Sequence, residues 1–90
     1  AAGSALSTGY LDVLRARWWT AQGDAARAAR QLRERLPAIT ATAYAPLRAE
    51  AHAQLAESLQ RAGQLDAAGP QTDAALALTA AQAAADDTVA

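Results

Sequence analysis

The side chains in this sequence with the chemistry for catalysis or metal binding are one histidine and scattered carboxylates. His52 is the only histidine, and Glu50 and Glu57 are the acids nearest to it along the chain. A catalytic histidine needs an oriented partner, and a metal site needs several ligands at suitable spacing. The sequence has no cysteine and no group of acids around His52. We therefore predict a packing or surface role for His52, and a chain that is not an enzyme and holds no metal or cofactor.

Every basic residue is an arginine, and the arginines concentrate in the first half of the chain. Residues 1–45 carry six of them against three acids, a formal charge of +3, and residues 46–90 carry two against six acids, a formal charge of −4. The first-half series is Arg15, Arg17, Arg27, Arg30, Arg33 and Arg35. It indicates an acidic partner, contact with the acidic half of another copy, or a solvated surface. The total charge of −1 and the pI of 5.7 argue against nucleic-acid binding.

The strongest aromatic signal is the adjacent pair Trp18 and Trp19. Neighbouring residues on a helix point about 100° apart, so the two rings cannot share one narrow stripe. We predict that Trp18 faces the partner helix and that Trp19 faces a neighbouring packing layer. The alternative is that one of them anchors an interface, because tryptophan is enriched among binding hot spots.

Composition predicts that the elements positioning these residues are helices. Twenty-nine of the 90 residues are alanine, the strongest helix former, and Phe, Met and Cys are absent. No apolar run approaches the roughly 18 to 20 residues that span a bilayer, and no signal peptide is recognisable. We expect a cytoplasmic protein without membrane contact, with the periplasm as the open alternative. Because the chain starts at Ala1 rather than at Met, we also expect a larger parent protein.

A pattern of small residues and leucine repeats at a spacing of forty residues. The recurring pairs are Ala16 and Ala56, Gly23 and Gly63, Ala28 and Ala68, and Leu36 and Leu76. A fixed period in this range is typical of stacked helical hairpins. We predict an all-α fold of two stacked antiparallel hairpins, over about residues 5–37 and 46–83. Two aspartates near the C-terminus oppose the helix dipole, so the tail over residues 84–90 should fray.

The helix boundaries follow from glycine, proline and capping residues. Gly23 and Gly63 should each end a helix in a left-handed conformation, and Pro37 should end the second helix. The predicted N-caps of the second and fourth helices are Asp24 and Asp66. With Asp66 as the cap, Pro70 falls in the first turn of the fourth helix, where proline is tolerated.

Helical spacing predicts which residues each helix buries. The predicted core stripe of the first helix is Leu6, Tyr10, Leu14, Trp18 and Ala21. The predicted stripe of the third helix is Leu47, Ala51, Leu55, Leu59 and Ala62. The predicted stripe of the fourth helix is Ala68, Ala75, Leu76, Thr79 and Ala83.

The second unit resembles the tetratricopeptide repeat, a helix-turn-helix with small residues at fixed positions and a frequent glycine in its turn. The matching residues are Leu55, Ala56, Leu59, Gly63, Ala68 and Ala75. The first unit matches less well, because Arg15 and Arg35 stand where the family has an apolar and a small residue. The forty-residue spacing and the run Ala68-Gly69-Pro70 are most similar to the kinesin-light-chain type of this repeat.

The resemblance implies a fragment of an α-solenoid that serves as a non-enzymatic protein-interaction or scaffolding module of a bacterial protein. The alternative is a regulatory helical segment of a bacterial Ser/Thr kinase or transcriptional regulator, in a signalling role. The resemblance also implies a concave groove, which here comprises Tyr10, Arg17, Thr20, Glu50, Glu57, Gln60 and Arg61. We expect this groove to take a protein or peptide, of which an acidic segment and a second copy are two alternatives. A solvated polar face without a ligand is the other interpretation of these residues.

Overall fold

The computed structural model describes the backbone of residues 2–89 and the side chains of residues 5–84. Within that range the chain contains four helices and no strand: α1 (Ala2–Ala21), α2 (Ala25–Thr40), α3 (Ala45–Arg61) and α4 (Leu65–Val89). Helices α1 and α2 form one hairpin, α3 and α4 form a second, and α3 lies against both helices of the first. The predicted all-α fold of two stacked hairpins is confirmed.

The hydrophobic core is centred on α3. Leu47, Leu55 and Leu59 are at most 1% exposed, and full burial of one leucine is worth about 1.5 to 3 kcal/mol. The two hairpins approach closely at Gly9 in α1, where a Cβ atom would lie only 2.7 Å from Cδ2 of Leu47. This leucine stripe of α3 is the one that the sequence predicted.

The two hairpin turns have the predicted left-handed glycines. The φ angles of Gly23 and Gly63 are 90° and 81°. The predicted N-cap of α2 is also confirmed, because Oδ1 of Asp24 accepts a hydrogen bond from the backbone N–H of Arg27 at 3.4 Å. The short glycine turns fold each second helix back along the first helix of its hairpin.

The prediction that Pro37 ends α2 is wrong. The helix continues to Thr40, and Pro37 lies on its exposed side. Proline removes one helical hydrogen bond, but the last turn gains the burial of Ile39 and a hydrogen bond from the Thr40 hydroxyl to the carbonyl of Leu36 at 3.0 Å. The irregular connection to α3 is therefore only residues 41–44.

Helix α4 begins at Leu65, close to the predicted start near Asp66, but the predicted N-cap is wrong because Asp66 lies inside the first turn. The N–H of Gln64 donates to the carbonyl of Leu59 at 2.8 Å, which fixes the turn so that α4 starts at the next residue. Pro70 consequently lies in the second turn rather than the first. The backbone of α4 is helical as far as Val89. The fraying expected over residues 84–90 stays a prediction, because the side chains from residue 85 onward lie outside the described residues.

The core stripe predicted for α1 is wrong at Leu14 and Trp18, which are more than half exposed, and at Ala21, which is also exposed. The buried face instead carries Gly9, Val13 and Ala16. Helix α1 contacts both α2 and α3, and α3 approaches it closely where Gly9 has no side chain. The face centred on Val13 is therefore covered, and Leu14, about 100° further round the helix, is not.

The stripe predicted for α4 is confirmed only in part. Ala68 and Ala75 are buried as predicted, whereas Leu76, Thr79 and Ala83 are exposed. Over the described residues α4 contacts α3 alone. A helix with one neighbour buries a narrow stripe, and the wider stripe predicted for α4 would require a second neighbour.

Replacement of Gly63 by alanine should destabilise the protein by about 1 to 2 kcal/mol, because a side chain disfavours the left-handed backbone. An added Cβ meets no atom within 4 Å, so the loss comes from the backbone alone. Gly63→Asn should lose less, since asparagine tolerates this conformation. Urea unfolding of the three proteins measures the difference. Equal stability of wild type and Gly63→Ala would contradict the turn described above.

Ala68→Leu should destabilise the protein by about 1 to 3 kcal/mol, because Ala68 is buried where α4 meets α3 and the larger side chain overfills that contact. The matched control is Ala77→Leu in the same helix, where the side chain is exposed and the change should stay within about 0.5 kcal/mol. Thermal unfolding followed by circular dichroism compares the two. A neutral Ala68→Leu would show that this face of α4 is not closely packed.

Candidate protein-interaction site

Helices α1 and α3 run side by side in the same direction and together present one polar face. Their contacts keep a nearly constant sequence separation, 37 residues from Arg17 to Gln54 and 38 from Thr20 to Ser58, as parallel helices require. Five of the predicted groove residues border this contact, and we call them the α1/α3 face: Tyr10, Arg17, Glu50, Glu57 and Arg61. All are exposed except Tyr10, which is half-buried.

At one end of the α1/α3 face, Tyr10 lies beside Tyr44 and Glu50. The two tyrosine rings meet edge to face with centroids 6.5 Å apart. Partial desolvation raises the pKa of Tyr10 above its ordinary value of 10.0, and the neighbouring Tyr44 and Glu50 raise it further because negative charge disfavours the phenolate. The phenol of Tyr10 is therefore neutral at physiological pH and can both donate and accept a hydrogen bond.

Two turns further along, the α1/α3 face carries a chain of polar contacts. Nε of Arg17 donates to Oε1 of Gln54 at 3.4 Å, and Nε2 of Gln54 donates to a carboxylate oxygen of Glu57 at 3.1 Å. The other carboxylate oxygen of Glu57 lies 3.6 Å from a guanidinium nitrogen of Arg61. These contacts hold charges of both signs in position. Within the described hydrogen bonds Arg17 uses only its Nε, and its two terminal guanidinium nitrogens have no partner.

The placement of Thr20 in an exposed groove is wrong. Its side chain is buried, its hydroxyl lies 2.8 Å from that of Ser58, and it also donates to the carbonyl of Ala16. Thr20 thus belongs to the contact between the hairpins, because α3 covers it. Gln60, the equivalent position forty residues later, is exposed and lines a groove between α3 and α4, which Glu57 also borders.

The structure corrects the predicted positions of the two tryptophans. Trp18 is exposed instead of facing the partner helix, whereas Trp19 is half-buried against the core with the guanidinium of Arg27 stacked 4.5 Å from its ring centroid. Tyr10 packs partly against the core as well. Truncation of Tyr10 would therefore weaken folding along with any binding, so the exposed charges are better probes of the α1/α3 face.

The first-half arginines divide into paired and exposed groups. Arg35 forms an ion pair with Asp12 at 2.7 Å, which ties α2 to α1. Arg27 is stacked on Trp19. Arg30 and Arg33, by contrast, are exposed on α2, where they border a groove of about 370 Å³. The arginine series is therefore not one continuous basic surface.

His52 links the two helices of the second hairpin. It is half-buried, and its Nδ1 lies 2.7 Å from Oε1 of Gln71 in α4. This contact is the packing role predicted for His52. Over the described residues, no three side chains of the metal-binding types come together, and none of the helices has the length and hydrophobicity needed to cross a membrane.

Sequence reasoning missed Gln54 and Ser58, the polar residues that join the α1/α3 face to the core. Both are buried, and the amide of Gln54 also donates to the hydroxyl of Ser58 at 3.3 Å. The available signal was their spacing of four residues within the leucine stripe of α3. Polar residues at core positions need partners, so two of them one turn apart indicate a hydrogen-bonded contact with a neighbouring helix.

Comparison of the chain with protein-family models, with curated proteins and with solved structures finds no match. The resemblance to the tetratricopeptide repeat therefore rests on the sequence residues alone and stays a prediction.

Neutralising Glu50 should lower the pKa of Tyr10, because the nearby carboxylate disfavours the phenolate. In a Tyr44→Phe background Tyr10 is the only tyrosine, and the ultraviolet absorbance of its phenolate can be titrated in wild type and Glu50→Gln. Glu57→Gln removes the same charge two turns away and should shift the pKa less. The stability that Tyr10 contributes is present below its unfolded pKa of about 10 and is lost as the pH rises through the higher folded value. Equal shifts in the two variants would contradict the pairing of Tyr10 with Glu50.

Proposed function

We propose that this chain is a non-enzymatic protein-interaction module of the tetratricopeptide type, which binds a segment of another protein along the α1/α3 face. The observation that carries the proposal is the arrangement of that face: an aromatic group and charges of both signs are held at two levels, two helical turns apart. Charges fixed on rigid helices bind a partner without the entropic cost of ordering long side chains.

The chemistry of the α1/α3 face favours a partner segment with both polar and apolar groups. Tyr10 and Tyr44 offer an aromatic surface at one level, and Arg17 and Glu57 offer a donor and an acceptor at the other. Two turns of helix separate these levels by about 10.5 Å, a distance that an extended peptide spans with three residues. Because the face carries two arginines and two glutamates, its charge alone does not select an acidic partner.

A second site for an acidic partner is favoured by Arg30 and Arg33. Both are exposed on α2 beside a groove of about 370 Å³, which is also lined by Glu34 and therefore carries two positive charges against one negative charge. Neither arginine forms an ion pair within the described residues. Of the arginine series, these two residues are the ones for which we propose an acidic partner.

Reversal of Arg17 to glutamate should weaken the binding of a peptide selected against the wild-type chain from a random displayed library by at least about fivefold, or about 1 kcal/mol. Arg17 is exposed, so its reversal should leave the melting temperature nearly unchanged. The matched control is Arg30→Glu, which makes the same charge change on α2 and should leave that peptide's affinity as it was. Titration calorimetry with each variant gives the affinities.

Two results would argue against the α1/α3 face as the binding site. If Arg30→Glu abolishes binding and Arg17→Glu does not, the site lies on α2 and the partner is acidic. If no peptide is enriched above background, the chain does not act as a peptide-binding module.

A further inference from the structure

The two hairpins are structurally equivalent at a spacing of forty residues. Helices α1 and α3 end at Ala21 and Arg61, and α2 and α4 begin at Ala25 and Leu65. The same hydrogen bonds recur in both turns: Asp24 N–H donates to the carbonyl five residues earlier at 2.9 Å, and its counterpart forty residues later does so at 2.8 Å. Any residue of the first hairpin can therefore be compared directly with the residue forty positions later.

In the first hairpin, a groove between α1 and α2 is filled by α3. Helix α3 contacts both of these helices, and the lining of their groove belongs to the central core. The lining positions that matter here are Val13, Ala16, Thr20, Leu32, Leu36 and Ile39. All are buried except Leu36, which is half-buried.

In the second hairpin, the equivalent groove between α3 and α4 is open, with a volume of about 450 Å³. The positions forty residues later line it: Ala53, Ala56, Gln60, Thr72, Leu76 and Thr79. We call this surface the open groove. Its leucine, Leu76, is 63% exposed, whereas the equivalent Leu36 packs against the core.

Helix α1 exposes the side chains that would fill such a groove. Leu11, Leu14 and Trp18 are 52%, 53% and 60% exposed, and we call them the ridge. The equivalent residues of α3 are Ala51, Gln54 and Ser58. Those residues are 0%, 6% and 0% exposed, because they lie against the first hairpin.

Side-chain size changes in opposite directions in the open groove and on the ridge, when each is compared with the positions forty residues away. In the groove, the smaller Ala53 and Thr72 replace Val13 and Leu32. On the ridge, every side chain is larger than the one it replaces, and Trp18 is the largest. The groove thus has a net loss of side-chain volume, although Gln60 is larger than its counterpart Thr20, and the ridge has a net gain. A wider groove can accept a larger ridge, as close packing requires.

Opposite charge on the two hairpins also favours a contact between the ridge of one copy and the open groove of another. The first half of the chain has a formal charge of +3 and the second half −4. When the ridge of one copy meets the open groove of another, the basic hairpin of one lies against the acidic hairpin of the other. Arg15 stands where α3 has the buried Leu55, so the contact between copies takes in an arginine that needs an acidic partner in the second hairpin to offset its loss of solvation.

We propose that copies of this chain associate head to tail, with the ridge of one copy docked into the open groove of the next as α3 docks against the first hairpin. The inference goes beyond the proposed function, because it uses the two ends of the stack, and the open groove shares only Glu57 with the α1/α3 face. The contact joins two different surfaces, so each added copy presents a fresh groove, and assembly continues as an open chain or closes as a ring.

The test compares wild type with one variant for each surface. Trp18→Ser removes the largest ridge side chain, and Ala53→Arg places a charged chain in the open groove. Both positions are exposed, so both variants should fold as monomers. Sedimentation equilibrium from micromolar to about 1 mM should show a rising mass for wild type, and each variant alone should raise the dissociation constant at least about tenfold.

Mixing the two variants gives the decisive result. Ala53→Arg retains an intact ridge and Trp18→Ser retains an intact groove, so an equimolar mixture should form a dimer with one copy of each and stop there. Ala77→Arg, the same change at an exposed position of α4 outside the groove, should associate as wild type does. Added salt should weaken association, because the two hairpins carry opposite charge.

Two outcomes would overturn the proposal. A wild-type chain that stays monomeric at the highest concentration has no such contact, and the open groove then belongs to another occupant. A wild type that associates while the variant mixture does not recover a dimer assembles through some other surface. Peptide binding to the α1/α3 face is measured separately and should be unchanged by Trp18→Ser, so the failure of one proposal does not decide the other.

Discussion

The burial of α3 on two sides is the constraint on which the rest of this structure depends. Leu47, Leu55 and Leu59 are shielded from water by the first hairpin and by α4 together. Neither neighbour alone could cover a helix with so wide an apolar surface. Because α3 has to fit closely against both, small residues stand at the points of closest approach, as Gly9 does in α1 and Ala68 does in α4.

Where small residues pack closely, polar side chains are also brought into the contact between the hairpins. These buried polar groups need hydrogen-bond partners within the contact. Thr20, Gln54 and Ser58 are buried between the hairpins, and each has a hydrogen-bond partner there. Their bonds replace those to water that burial removes. Gln54 also reaches Arg17 and Glu57 at the surface, so the interior of the contact orients the charges on the α1/α3 face.

The two hairpins have equivalent backbones at a spacing of forty residues, but equivalent residues in them have different neighbours. Leu36 and Leu76 occupy the same place in their hairpins, but only the first packs against the core. Trp18 and Ser58 differ in the same way, because α3 has a hairpin on its preceding side and α1 has none within the described residues. The two described hairpins thus carry an exposed apolar surface at each end of the stack. The size and charge of the side chains on these surfaces decide whether the protein stays monomeric.

The sequence by itself determined the features that depend on neighbouring residues along the chain. The alanine content favours helix formation, Gly23 and Gly63 determine where the hairpins turn, and the leucine spacing of α3 determines its buried face. Each of these depends on backbone preference or helical period, which act over a few residues. Tertiary structure decided the rest. Gly9 lets α3 approach one side of α1, so Val13 is buried there and the neighbouring Leu14 is not. Burial depends on which distant helix covers a residue, and helical spacing within one segment does not contain that information.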